Sequence, residues 1–131
     1  MNNQIFVFGS NLAGIHGAGA ARTAVRKYGA VYGQGIGLQG NSYGVPTKDS
    51  RIKTLPVASI KVHVDEFIEF ASVHKALMFY VTRIGCGLAG YTDDRIAPLF
   101  VNSPKNVNLP SEWQEFMPSN QKYSYINWNF E

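Results

Sequence analysis

Two clusters of glycine carry the residues most able to do chemistry in this sequence. Gly14, Gly17 and Gly19 crowd together with His16 among them, and Gly85, Gly87 and Gly90 do the same around Cys86. Glycines at this density leave little side-chain bulk between a ligand and the backbone N–H groups, which is the chemistry of a phosphate cradle. A histidine in such a loop can act as acid, base or hydrogen-bond donor, or can simply fix the loop by bonding a carbonyl. Asp49 is a second candidate for proton transfer. It follows Lys48, and the two read either as the rim of a pocket or as turn residues. Asp93 and Asp94 open a helix, and capping explains them without chemistry. Cys86 has a thiolate reading at a helix N-terminus and a plainer one as a small packing residue.

The elements around these residues follow one plan used twice. Ile5, Phe6, Val7 and Phe8 form an unbroken β-branched and aromatic run closed by Gly9, as in a strand buried on both faces. After the glycines, Ala21, Ala24, Val25 and Tyr28 keep the spacing of a helix face, and Gly29 stands where a C-terminal cap belongs. Leu77 to Val81 is a second apolar run, Thr82 to Tyr91 the second glycine loop, and Thr92 the N-cap of a further helix that Pro98 keeps short or kinked. Two strand–loop–helix units on adjacent parallel strands bring both loops to one sheet edge, where open α/β folds place their ligands. All 13 glycines lie between Gly9 and Gly90, so backbone freedom is concentrated there.

The remaining segments read as scaffold. Between Ala30 and Gly44, Gly33, Gly35, Gly37 and Gly40 lie among aromatics and aliphatics and predict a long loop that is mobile or functional. Tyr43 to Thr47 predicts a short extended segment ahead of Lys48. Leu55 to Val64 is open between an extended segment and a loop, with Asp65 capping a helix whose stripe is Val64, Phe67, Ile68 and Ala71. Asn106 to Leu109 predicts the last strand. Beyond it Trp113, Phe116, Tyr123, Tyr125, Trp128 and Phe130 predict a segment packed on the domain or on a partner chain.

With 131 residues, 45% hydrophobic and 16% charged, the chain reads as a single globular domain spanning 1–131. Its net charge of +3 is too mild for a nucleic-acid platform. The single cysteine excludes an internal disulfide, and no apolar run or leader pattern is present, so a cytoplasmic location with no membrane partner is expected. His63 and His74 lack ligand-spaced neighbours, and neither metal nor cofactor is expected.

The stretch VFGSNLAGIHGAGAARTAVRKYG resembles the first ligand loop of macro domains, the ADP-ribose-binding family, and TRIGCGLAGYTDDRIAPLF resembles the family's second phosphate loop. SYGVPTKD, between them, resembles the family's small strand with its proline turn. The resemblance covers roughly residues 4–110 in the family's order. Departures accompany it. The chain starts at the strand before the first loop, without the family's N-terminal strands and the aspartate there that reads adenine. Phe8 stands where the first asparagine would be, and Ala21 where one hydrolase subclass carries its aspartate.

The resemblance implies an α/β fold of three layers with a mixed central sheet, reduced at its N-terminus. It implies a pocket for ADP-ribose or a related NAD-derived nucleotide, contacted by Phe8, Gly9, Asn11, Gly17, Ala18, Gly19 and Ala20, by Lys48, and by Gly85, Cys86, Gly87, Leu88, Ala89, Gly90 and Tyr91. Backbone N–H groups of both loops would hold the diphosphate and Asn11 a ribose, with the base stacked on Tyr32, Tyr43 or Tyr91 at modest selectivity. Three functions stay open: a binding module, a hydrolase of ADP-ribosyl or ADP-ribose-phosphate linkages drawing on His16 or Asp49, and an interaction protein with no nucleotide. The partners considered are the nucleotide, an ADP-ribosylated macromolecule and a second copy of the chain.

Overall fold

The computed structural model describes residues 3–128. In chain order its elements are β1 (Gln4–Asn11), α1 (Gly19–Tyr28), β2 (Gly37–Gln39), β3 (Ser42–Lys48), α2 (Val57–Val73), β4 (Met78–Val81), α3 (Asp93–Ile96) running into a 3-10 turn (Ala97–Phe100), β5 (Val107–Pro110), a second 3-10 segment (Ser111–Phe116) and β6 (Ser124–Ile126). The strands form one sheet in the order β2-β3-β1-β4-β5-β6. Every neighbouring pair is parallel except β2 with β3, so the sheet is mixed.

Burial on both faces explains the apolar run of β1. Ile5 and Val7 pack on one side with Ile60, Val64, Phe67 and Ala71 of α2. Phe6 and Phe8 pack on the other with Ala21 and Ala24 of α1. The result is three layers, helix on sheet on helix. The chain leaves β1 through α1 toward β3, and α2 then returns it across the sheet to β4 on the other side of β1. That reversal is the position at which open α/β sheets leave a crevice.

Several expectations from the sequence need correcting. Gly9 does not close β1, which runs on to Asn11 because Ser10 and Asn11 keep pairing with Pro46 and Lys48 of β3. Pro46 has no N–H to donate, and the register shift between Ser10 and Asn11 falls beside it. The segment before Asp65 is helical: α2 begins at Val57, directly after Pro56. Asp65 therefore lies inside the helix, paired with Lys61 at 2.7 Å one turn earlier. Thr92 holds the N-cap position of α3 without bonding a helix N–H; its hydroxyl turns to the Asp94 carboxylate. The last strand is β6, inside the aromatic segment, where Tyr125 pairs in register with Leu109 of β5. Phe130 lies outside the described residues.

The glycine-rich stretch 30–44 is packed against the start of the first glycine loop. A Cβ on Gly35 would stand 2.1 Å from the Asn11 carbonyl oxygen, and one on Gly14 would stand 2.3 Å from the Gly33 carbonyl carbon. Gln34 and Gln39 then satisfy the carbonyls and one N–H of the stretch through their side-chain amides. Among the described residues no helix is long and apolar enough to cross a membrane.

Backbone-on-backbone contact at Gly35 leaves no room for a methyl group. Gly35→Ala is expected to destabilise the protein by about 2–3 kcal/mol, as overpacking does. Gly87→Ala, with nothing within 4 Å of its Cβ position, is expected to change stability by less than about 0.5 kcal/mol. Thermal and denaturant unfolding of the two variants measures the difference.

Candidate functional site

Beyond the carboxyl ends of β1, β3 and β4 the surface opens into a cleft of about 1180 Å³. Ser10 and Asn11 of β1, Thr47 and Lys48 of β3, and Thr82 after β4 line its base. Thr82 is locked there, with both its N–H and its hydroxyl donating to the Val7 carbonyl at 3.0 and 2.8 Å. Residues 12–18 and 83–90 rise on either side as the two glycine loops.

The first loop is held from beneath. The Asn11 amide donates to the Ile15 carbonyl at 2.8 Å, and its oxygen accepts from the Ile15 N–H at 2.9 Å. Gly14, at φ 72°, accepts from the Gly33 N–H at 2.8 Å. His16 points inward, 1% exposed, with its ring edge-on to Phe8 and its Nε2–H donating to the Gln34 carbonyl at 2.9 Å. Its Nδ1 is buried without a partner among the described residues. The loop then enters α1, whose N-cap residue Ala18 makes no side-chain cap and whose first turn holds no acid. The N–H groups of Gly17, Ala18, Gly19 and Ala20 have no hydrogen-bond partner among the described residues. They meet the cleft together with the positive end of the helix dipole.

The second loop is held from outside. Tyr91 closes it by donating its N–H to Gly85 at 2.9 Å and its hydroxyl to the Leu55 carbonyl at 2.7 Å. Thr54 bonds the Ala89 carbonyl at 3.0 Å. Arg83 forks onto Asp93 at 3.0 and 2.7 Å, and the buried Trp113 donates its indole N–H to the same carboxylate at 2.8 Å. Burial works to raise the Asp93 carboxyl, but hydrogen bonds from Arg83, Trp113 and Cys86 outweigh it and hold the group below the usual range. The N–H groups of Gly87, Leu88 and Ala89 have no partner among the described residues. Leu88 reaches across to the first loop, its methyl 3.8 Å from where a Gly19 Cβ would lie.

Charge favours an anion between these walls. Lys27, Lys48 and Arg83 line the cleft, and neither lysine has an ion-pair partner among the described residues. Unpaired N–H groups from two loops, one helix N-terminus and these cations suit a diphosphate better than a single phosphate, because they approach from opposite sides.

Of the expected contacts, Gly9, Asn11, Lys48, Gly17 to Ala20 and Gly85 to Ala89 line the cleft. Phe8 does not, being fully buried beneath α1. Gly90 and Tyr91 lie on the outer side of their loop, closing it. His16 does not line the cleft; its ring is buried and braces the loop from beneath. Asp49 is a turn residue, accepting from the Arg51 and Lys53 N–H groups at 2.8 and 3.0 Å. Those bonds, Lys53's first and then Arg51's, hold its carboxyl below the ordinary value. Asn11 reaches the cleft, but its side chain is engaged by the Ile15 backbone and shapes the first loop. Sequence reasoning missed Arg83, Glu112 and Trp128 as cleft residues. The two last lie far along the chain from the first glycine loop, Glu112 in the segment that follows β5 and Trp128 just after β6.

Comparison with known proteins finds no matching family model, no matching curated protein and no matching solved structure. Among the described residues no group of three histidine, cysteine or acidic side chains could hold a metal ion.

Cys86 lines the cleft as a thiol. Burial first, then the hydrogen bond and charge of Asp93, push its pKa up to about 12. A raised thiol pKa means the neutral form persists until the pH approaches that value, so Cys86 is protonated throughout the physiological range. At pH 8 the native protein is expected to alkylate roughly 1000-fold more slowly than an unperturbed cysteine. Iodoacetamide labelling with and without denaturant, read by mass spectrometry, checks this.

Proposed function

We propose that the cleft binds ADP-ribose or a related NAD-derived nucleotide, with the diphosphate held between the two glycine loops. One observation carries the reading: Gly17 to Ala20 and Gly87 to Ala89, whose N–H groups have no partner among the described residues, line the same cleft at the switch point of the sheet. The macro-domain resemblance of both loops supports the same ligand class. A base stacked on Tyr32, Tyr43 or Tyr91 is not part of the proposal, because none of the three lines the cleft. Tyr43 is buried in the core and its hydroxyl is pushed up to about 12, by burial first and then by Glu66. Tyr28 and Trp128 are the aromatic residues that do line it, and they supply the stacking surface instead.

Binding is favoured over hydrolysis. A hydrolase needs a group that orients water or takes up a proton; the two candidates read from the sequence, His16 and Asp49, do not line the cleft, and Glu112 is its one carboxylate among the described residues. Multiple-turnover release of ADP-ribose from an ADP-ribosylated substrate would overturn this preference.

Calorimetry with ADP-ribose, cyclic ADP-ribose, NAD, ADP and inorganic phosphate tests the ligand class. ADP-ribose is expected to bind most tightly, and at 100 times its Kd to stabilise the protein by about 2.7 kcal/mol. No effect from any member of the panel would favour an interaction protein without a nucleotide. Gly87→Val tests the cradle. Its Cβ position is open and its φ is not positive, so the variant is expected to fold normally and lose at least about 30-fold in affinity. Gly19 is a poorer position for this test, since its φ of +61° would strain any replacement.

A further inference from the structure

One face of α1 lines the cleft along its whole length. Gly19, Ala20, Thr23 and Lys27 follow the three- and four-residue spacing of a single helix face, and Tyr28 joins them at the end. At 1.5 Å per residue, Lys27 stands about 12 Å along the axis from Gly19. The cleft therefore runs beside the helix from the unpartnered N–H groups of its first turn to Tyr28 in its last. Tyr28 is fixed there by stacking on Phe6, with ring centroids 4.5 Å apart.

That length orders a nucleotide. With the diphosphate at the first turn and the base at Tyr28, the sugar between them lies against Thr23 and Lys27. Lys27 is exposed and has neither an ion pair nor a side-chain hydrogen bond among the described residues. Helix C-termini favour a cation, but Arg26, next to it and outside the cleft, meets that need equally. The Cα–Cβ bonds of a helix tilt toward its N-terminus, so the stem of Lys27 leans back from the base toward the sugar. No acid competes for the ammonium on its own element, since α1 carries none. The cleft's carboxylate, Glu112, stands instead in the field of Arg83 of the second loop. Two turns separate Lys27 from the diphosphate cradle, which leaves its charge for a different anion.

We infer that Lys27 is a specificity-determining residue for a second phosphate, a monoester on the sugar that bears the base. The ligand class is then a nucleoside diphosphate phosphorylated again on its nucleoside sugar. This rests on the nucleotide reading above and narrows it. A lysine suits the task, because a phosphomonoester is met by a point charge with three donors.

Wild type, Lys27→Gln and Arg26→Gln are titrated calorimetrically with ADP-ribose and with its analogues phosphorylated at the 2′ or the 3′ hydroxyl of the adenosine ribose. Both residues are exposed, so the variants are expected to fold, and melting curves check this. Wild type is expected to bind one of the phosphorylated analogues about 10-fold more tightly than ADP-ribose. Lys27→Gln is expected to lose that preference while its affinity for ADP-ribose changes less than about 2-fold. Arg26→Gln is expected to keep the preference. Wild type binding ADP-ribose at least as tightly as both analogues overturns the assignment and leaves the nucleotide reading standing. A preference that survives Lys27→Gln overturns it too, as does equal weakening of all three ligands or equal loss of the preference in Arg26→Gln, either of which marks a general field. Wild type binding none of the three would overturn the nucleotide reading itself, and this assignment with it.

Discussion

The exchange of two hydrogen bonds between the Asn11 side chain and the Ile15 backbone governs how β1 leaves the sheet. It turns the chain sharply enough that Gly14 comes to rest against Gly33 and the ring of His16 drops under the loop onto Gln34. With the loop fixed from beneath in this way, the N–H groups of Gly17 to Ala20 are left without a partner among the described residues at the cleft. The glycines at 14 and 35 serve the same end by letting two backbones touch. Polar satisfaction beneath the loop therefore produces the unsatisfied donors above it.

Most of the architecture was legible because it follows from local pattern. The double-sided run Ile5 to Phe8, the helix face ending at Gly29, and the repetition of both around Thr82 to Tyr91 announced a parallel sheet with two loops at one edge. Gly29 does cap α1 from the left-handed region, bonding back to Ala24. What escaped reading was non-local. The aspect of His16 that matters, whether it faces ligand or core, depends on Gln34 arriving beneath it, and neither periodicity nor spacing in residues 30–44 announces that. Asp65 misled for a related reason: a good capping residue is equally at home mid-helix when Lys61 sits one turn before it. The place of Trp128 at the cleft depends on a strand, β6, only three residues long and without alternation strong enough to betray it.

Asp93 joins the two halves of the site. Its carboxylate takes two bonds from Arg83, at the start of the second loop, and one from Trp113, in the segment that carries Glu112. The second glycine loop and the segment after β5 are thus referred to one half-buried carboxylate. Removing that carboxylate would leave an indole N–H and a guanidinium competing for water, a larger disturbance than the loss of any single contact in the cleft.

The strand order also constrains the path by which the chain can fold. β1 lies between β3 and β4, with crossovers of α1 and α2 needed before either neighbour can dock. During synthesis the segment Ile5 to Phe8 is therefore made long before both of its edges can be covered. Parallel pairing of this kind is slow and leaves apolar strand surface exposed meanwhile. Until α2 and β4 have left the ribosome, the first strand of a nascent chain therefore lacks one of the two neighbours that cover its edges in the finished sheet.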